Sequence, residues 1–180
     1  MITNFQEIFY LIILTVAIGY IISGYIRIPG LYSRGLNWKG IKFAILVAAP
    51  AIIIHELGHK FVGIAFGYES LFYIWWFGLL LGIILRIAGS PFLLLAPGYV
   101  SIPASNPAHL AIIAFAGPLI NLILFLTALI VLKNKKRMKK KEFIFWHLTK
   151  MINMWLFIFN MLPIPPLDGS KVLGGLFGLL

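Results

Sequence analysis

The sequence contains no cysteine, and acidic residues are nearly as scarce, with five among 180 residues. The absence of cysteine excludes disulfide bonds and thiolate metal ligands. The acidic residues are Glu7, Glu56, Glu69, Glu142 and Asp168. Charged residues of both signs make up 11% of the chain, whereas hydrophobic residues make up 61%. A soluble domain of this length cannot bury so much apolar surface, so the composition predicts a polytopic membrane protein.

Lysine and arginine outnumber the acidic residues by 15 to 5, which gives a formal net charge of +10. Much of this charge lies in one hydrophilic run, Lys133–Lys141, and a second group, Arg27, Arg34, Lys39 and Lys42, flanks the first turn between apolar segments. Basic residues beside membrane spans are typical of contacts with anionic lipid. Because no base-reading module accompanies the charge, we expect no nucleic-acid partner.

Apolar stretches long enough to cross a bilayer recur along the chain. We predict an all-α polytopic membrane protein with about four to five transmembrane helices, a small membrane-embedded β-hairpin and a re-entrant segment. The predicted transmembrane helices are residues 5–26, 41–66, 107–132 and 143–162. Residues 71–104 would hold the re-entrant segment and the strands, and residues 163–180 a proline-rich segment and a C-terminal helix. The whole chain, 1–180, would form a single membrane-embedded domain.

Prolines divide the stretch that precedes the third predicted helix. Phe92–Leu95 and Tyr99–Ile102 are predicted to form two short strands around a turn at Pro97-Gly98. Extended backbone at membrane depth is tolerated only against protein or a water-filled cavity. We therefore expect this hairpin to be embedded in the protein.

The chemically most informative stretch is Ile54–His59, which contains the H-E-x-x-H signature inside a long apolar run. Histidines at positions i and i+4 share one face of an α-helix, so both imidazoles can reach one metal ion. Glu56 lies about 100° around the helix from His55, near such a metal without being forced to bind it. A carboxylate there can take a proton from a metal-bound water. A chance match is disfavoured, because ionisable side chains at membrane depth are costly and mark functional sites.

Two further polar residues stand out in apolar surroundings. Asn121 is a lone amide in a predicted transmembrane helix, and taken alone it is better explained as a polar packing contact between helices. Asp168 follows the prolines that end the last long helix. Taken alone, it could be the N-cap of a short terminal helix, residues 169–180.

Three motifs, HELGH, AGPLIN and NMLPIPPLDG, occur in that order along the chain. Together they resemble the three signatures of the site-2 proteases, which are intramembrane zinc metalloproteases, and the resemblance covers residues 41–180. It implies one zinc ion (Zn²⁺) per chain, with three ligands and one general base. The implied ligands are His55, His59 and Asp168. The implied base is Glu56, and Asn121 would contact the substrate or the developing oxyanion as a catalytic residue.

The same resemblance implies a function. The chain would be a zinc-dependent endopeptidase that hydrolyses peptide bonds of transmembrane protein substrates, as in regulated intramembrane proteolysis. Its partners would be such a substrate and the lipid bilayer, and its location the cell membrane, as an integral multi-pass protein. An unfolded substrate segment could add as a further strand to the embedded sheet. The chain departs from the family by inserting residues 71–88 before the strands.

Two other functions fit parts of the pattern. A membrane metal-ion transporter or sensor also places histidines and carboxylates at membrane depth, although it would not need a non-ligating Glu56. A catalytically silent homologue that only binds membrane proteins is disfavoured by the intact set of catalytic residue types. If Asp168 were only a helix cap, the third ligand would have to be His109 or His147.

The positions of the motifs also constrain topology. The histidine pair and Asp168 lie at or beyond the C-terminal ends of helices 41–66 and 143–162. If they meet at one depth, these two helices run parallel, which requires an odd number of crossings between them. Helix 107–132 supplies one crossing. We therefore predict that residues 71–88 do not simply cross the bilayer but enter and return on one side, or lie along the interface.

Overall fold

The computed structural model describes residues 4–26, 36–91, 98–103 and 106–178. Across these residues the chain is mainly helical, with one small antiparallel sheet, as predicted. The elements in chain order are α1 (Phe5–Ser23), α2 (Trp38–Ala65), β1 (Leu71–Ile74), α3 (Trp76–Ile87), β2 (Gly98–Ser101), α4 (Pro107–Asn134), α5 (Lys140–Asn160) and α6 (Asp168–Leu176).

Three helices in the described part of the chain, α1, α2 and α4, are long and apolar enough to cross a membrane. Each corresponds to a predicted span, with ends that differ by a few residues. The fourth predicted span, residues 143–162, corresponds to α5 (Lys140–Asn160). Charged and polar side chains in its first half leave α5 outside the set of candidate spans. A total of four to five spans therefore stays a prediction.

The chain separates into two compact units, Met1–Ile53 with Leu71–Ser101 and Ile54–Ser70 with Ile102–Leu180. In the first unit, α1 and the first part of α2 approach closely at Gly19, where a Cβ atom would lie 3.0 Å from Ile45 Cδ1. The single membrane-embedded domain over residues 1–180 stays a prediction. The second unit contains every predicted site residue.

A buried glutamate organises the N-terminal end of the first unit. Asn4 and Glu7 form a capping box that starts α1, with the N–H of Glu7 donating to Asn4 Oδ1 at 2.8 Å. The Glu7 side chain also reaches the sheet, where its Oε1 accepts the N–H of Phe72 at 2.7 Å. Glu7 is only 3% exposed. One carboxylate therefore caps α1 and holds strand β1, which explains an acidic residue at the head of an apolar helix.

The sheet contains one predicted strand and one strand that the sequence did not predict. Strand β2 confirms the predicted strand at residues 99–102 within one residue, but its antiparallel partner is β1, with Tyr73 opposite Tyr99. The predicted partner, residues 92–95, lies outside the described residues, so its pairing with residues 99–102 stays a prediction. The two strands are thus not joined by a tight turn, because α3 lies between them in the chain. Sequence reasoning missed β1 because its four apolar residues run directly into an apolar helix, which hides the change of period.

Helix α3 is too short to cross a bilayer. Its 12 residues rise about 18 Å, whereas the hydrocarbon core is about 30 Å thick. Its exposed side chains are apolar, and they are Trp76, Phe77, Leu80, Ile84 and Ile87. Helix α3 alone therefore does not cross, and the path of residues 71–88 in the membrane stays a prediction.

We expect single cysteines at positions 67 and 105 to be labelled from the same side of the membrane. A segment that enters and returns brings both of its ends to one face, and the native chain has no cysteine to give background. An impermeant thiol reagent applied to either side of sealed vesicles measures this. A cysteine at position 136, beyond α4, is the control and should be labelled from the opposite side. Labelling of positions 67 and 105 from opposite sides would overturn the prediction.

In the second unit, α4 packs against both α5 and α6. Asn106 caps α4, with its Oδ1 accepting the N–H of Ala108 at 2.9 Å, and Pro107 occupies the first helical position. Helix α6 lies close to this first turn, because a Cβ atom on Gly175 would lie 2.8 Å from Ala111 Cβ. The packing of α6 on α4 fixes the place of the residue that begins α6, Asp168.

Candidate metal centre

The side chains of His55, His59 and Asp168 converge on one point in the second unit. The Nε2 atoms of His55 and His59 lie 3.1 Å apart. Asp168 Oδ2 lies 3.2 Å from the Nε2 of His55 and 3.3 Å from that of His59. The three atoms thus form a nearly equilateral triangle. The structure brings together the three residues that the resemblance to the site-2 proteases implies as metal ligands.

This triangle has nearly the size of one face of a zinc coordination sphere. Zinc binds histidine nitrogen and carboxylate oxygen at about 2.0–2.2 Å in tetrahedral geometry, which separates the ligand atoms by about 3.3–3.6 Å. Within the described residues, this is the one group of His, Asp and Glu side chains that could hold a metal ion. Both histidines are buried and Asp168 is half-buried. The residues present therefore fit a zinc site with three protein ligands and a fourth position for water.

A backbone carbonyl sets the orientation of His59. The Nδ1 atom of His59 lies 2.7 Å from the carbonyl oxygen of Ile113 in α4. Because a carbonyl can only accept, Nδ1 carries the proton and donates it, which leaves the lone pair of Nε2 facing Asp168. Hydrogen bonds of this kind orient metal-ligating histidines. Sequence reasoning could not find this partner, because the acceptor is a main-chain atom.

His55 is held by a chain of two buried asparagines. Its Nδ1 lies 2.6 Å from Asn121 Oδ1. Asn121 Nδ2 donates to Asn153 Oδ1 at 2.9 Å, and Asn153 Nδ2 donates to the carbonyl oxygen of Thr149 at 2.8 Å. Both asparagines have 0% exposure. The structure thus places Asn121 beside a ligand, at the Nδ1 side of the ring, and the oxyanion role implied by the resemblance stays a prediction.

Asn153 is a site residue that sequence reasoning missed. It is a second lone amide inside an apolar stretch, four residues after Thr149 on α5. That isolation was the available signal, and it is the same signal that singled out Asn121. The motif that ends in Asp168 begins instead at Asn160, which is not part of this hydrogen-bonded chain.

Asp168 is not the helix cap that its isolated sequence context allowed. It is the first residue of α6, and Leu167 holds the N-cap position. Its carboxylate is directed at the two histidines. The following Gly169 permits this placement, since a Cβ atom there would lie 2.6 Å from the carbonyl oxygen of Leu162. A side chain at position 169 of the LDG motif would therefore clash with the backbone of Leu162.

The two histidines considered as replacement ligands lie in other contacts. The Nδ1 of His109 is 3.0 Å from the Tyr68 hydroxyl, and its ring stacks on Phe66. His147 stacks on Phe143. Neither belongs to the group that could bind a metal.

Glu56 adjoins the ligand His55 in α2 and is half-buried. It is absent from the group of converging ligand atoms found among the described residues. The prediction of a carboxylate near the metal that does not bind it stays a prediction. Its role as general base remains a prediction.

Comparison with known proteins assigns the chain to a family. A family model described as Peptidase family M50 matches residues 134–180, which include α5 and Asp168. A protein of Methanocaldococcus jannaschii, whose name describes it provisionally as a zinc metalloprotease, is 38% identical over 136 residues. The alignment covers 72% of this chain and 68% of that relative. The chain belongs to the site-2 protease family, peptidase family M50.

A second relative, from Synechocystis sp. (strain PCC 6803), also carries a name that describes it provisionally as a zinc metalloprotease. It is 33% identical over 150 residues, which cover 82% of this chain and 34% of that protein. The chain thus spans about a third of the length of this relative. Family membership and three long apolar helices together make this site-2 protease family member an integral, multi-pass membrane protein.

Glycines in the family motifs allow α2 and α4 to come together at the site. A Cβ atom on Gly58, within HELGH, would lie 3.1 Å from the carbonyl oxygen of Ala116. A Cβ atom on Gly117, within AGPLIN, would lie less than 3.0 Å from the Nε2 of His59 and 2.7 Å from that of His55. The missing side chain at position 117 therefore provides the space in which the two imidazoles meet.

We expect Gly117→Ala to weaken zinc binding by at least about tenfold in this family member, comparable to the loss of a contact that orients a ligand. The added methyl group would occupy the position of the ligand nitrogens, so at least one imidazole must move. Zinc affinity measured by competition with a chelator tests this. Leu119→Ala, an exposed position on the same helix, is the control. Unchanged zinc affinity in Gly117→Ala would show that the site tolerates the methyl group.

Proposed function

We propose that this protein is a zinc-dependent intramembrane endopeptidase that hydrolyses peptide bonds of transmembrane protein substrates. The observation that carries the proposal is the convergence of two histidines of one helix and an aspartate of another on one point. His55, His59 and Asp168 would hold one zinc ion per chain. When bound, zinc supplies a polarising charge for the scissile carbonyl and a water of lowered pKa.

Glu56 does the proton chemistry in this proposal. Its place next to His55 in the helix keeps the carboxylate near the water position without a bond to the metal. The carboxylate takes a proton from the attacking water and returns it to the leaving amine. A half-buried site within the protein limits access to bulk water and strengthens these electrostatic interactions.

The substrate must be locally unwound, because the amides of a transmembrane helix are closed in i to i−4 hydrogen bonds. An unwound segment needs new partners for its backbone groups. Addition to a strand edge supplies them. At Phe72 the outer edge of β1 is taken by Glu7, so we assign this addition to β2.

The proposal is tested by comparing membrane fragments in cells that carry the wild-type chain or a Glu56→Ala copy. Mass spectrometry should find fragments that end inside predicted transmembrane segments, and only in the wild-type cells. Identical fragments in both cells would contradict the proposal.

The same variant separates the two other functions. A transporter or sensor would keep its metal-dependent activity without Glu56, whereas a peptidase would not. A silent homologue would show no difference in fragments between the two cells. Membership in a peptidase family favours the endopeptidase.

A further inference from the structure

We propose that Asn121 and Asn153 form a positioning relay that fixes the proton of His55 on Nδ1 and so directs the lone pair of Nε2 toward the metal position. The inference rests on the proposed zinc-binding role of His55. It gives α5, which supplies no ligand, a defined effect on the site through Asn153. It also gives Asn121 the role of orienting the ligand His55 through the ring nitrogen that does not face the metal position.

The direction of the relay follows from its last member. The carbonyl oxygen of Thr149 can only accept a hydrogen bond, so the group of Asn153 that faces it at 2.8 Å is the amide NH₂. The oxygen of Asn153 is then the atom turned toward Asn121, and it must receive a donor. Asn121 therefore presents its own NH₂ to Asn153, at 2.9 Å.

The remaining atom of the Asn121 amide is its oxygen, which faces His55. An amide oxygen has no proton to give, so at 2.6 Å the Nδ1 of His55 must be the donor. In the neutral imidazole the proton then sits on Nδ1, and Nε2 has a free lone pair. Only that tautomer can bind a metal through Nε2.

The reverse arrangement is costly at every link. If Nδ1 of His55 were an acceptor, both asparagine amides would have to turn over. The oxygen of Asn153 would then face the carbonyl oxygen of Thr149, with two acceptors in contact. Both asparagines have 0% exposure, so no water would replace the hydrogen bonds that the reversed amides lose.

The test uses the metal-free full-length protein with ¹⁵N-labelled histidine in lipid nanodiscs. Long-range proton–nitrogen correlation spectra distinguish a proton on Nδ1 from a proton on Nε2. In the metal-free protein Asp168 Oδ2 lies 3.2 Å from His55 Nε2, so loss of the acceptor at Nδ1 favours a proton on Nε2. The chain has four histidines, so His55 is assigned by substitution. We expect His55 in the Nδ1–H form in the wild type and a mixture of tautomers in Asn153→Ala.

A matched pair at position 121 separates the relay from simple packing. Asn121→Asp loses the NH₂ that donates to Asn153 Oδ1, but it presents an oxygen acceptor to His55 whichever way the carboxylate turns. Asn121→Leu has a similar size and no acceptor. We expect the aspartate variant to keep the Nδ1–H form, and the leucine variant to lose it. Zinc affinity should fall about tenfold or more in Asn121→Leu and Asn153→Ala, and stay at the wild-type level or higher in Asn121→Asp. Asn134→Ala, an exposed position on α4, is the control for both measurements.

The outcomes separate the relay from the proposed function. If His55 keeps the Nδ1–H form in both Asn121→Leu and Asn153→Ala, the relay is overturned and the asparagines are packing contacts. A different outcome is that the wild type has the Nδ1–H form, the variants lose it, and the wild type binds no zinc. The relay is then supported, and the proposed zinc site is contradicted. If Asn153→Ala does not fold, the pair at position 121 decides.

Discussion

Glu56→Gln should abolish proteolysis and leave zinc bound at one ion per chain. Glutamine has nearly the shape of glutamate but cannot take a proton from water, so only the general-base step is lost. General-base catalysis typically contributes about 10²–10⁴-fold to rate, and we expect a loss of that size. Cleavage of a transmembrane substrate by the purified variant, together with its zinc content, measures both parts of the prediction.

The matched control is Glu69→Gln, because Glu69 is exposed and lies outside the metal-binding group. It should keep both activity and zinc. Loss of stoichiometric zinc in Glu56→Gln would mean that Glu56 is a ligand. Full activity in Glu56→Gln would mean that another group is the base.

Asp168→Ala should lower both activity and zinc affinity, in contrast to the Glu56 variant. Removal of one of three protein ligands leaves two histidines, which hold zinc weakly. Loss of a contact that merely orients a ligand typically costs about 10–100-fold in metal affinity, so loss of the ligand itself should cost more than about 100-fold. Competition with a chelator of known affinity measures the change.

Leu176→Ala is the control for Asp168→Ala, since Leu176 is exposed on the same helix. It should bind zinc like the wild type. Wild-type zinc affinity in Asp168→Ala would exclude Asp168 as a ligand. It would also contradict the assignment of the three converging atoms as the zinc ligands.

The histidine pair could be predicted from sequence because the geometry is local. Positions i and i+4 face the same way on any α-helix, so His55 and His59 needed only the helix. Asp168 could not be placed in this way, since it comes from another helix more than 100 residues later. Only the order of three motifs in a known family linked it to the histidines. The contact between Asn121 and His55 depends on how α4 packs on α2, which no single segment encodes.

The fold shows the same division between local and distant information. Long apolar runs located α1, α2 and α4 within a few residues, because the membrane requires their length and composition. The start of α5 was placed at 143 instead of Lys140, since lysine and glutamate form helices well but lie outside the apolar run. The pairing of β1 with β2 and the bond between Glu7 and Phe72 join segments far apart in the chain. Such pairings follow from packing rather than from a local pattern.

The most direct test of zinc-dependent intramembrane proteolysis is to remove and restore the metal in the purified protein. The wild-type chain in lipid bilayers would be stripped with a chelator, given one equivalent of zinc, and assayed on a labelled transmembrane peptide. We predict that cleavage stops in the stripped protein, returns with one zinc per chain, and falls within the hydrophobic segment of the peptide. Cleavage at an unchanged rate in the metal-free protein, or no cleavage of the segment after zinc is restored, would contradict the account.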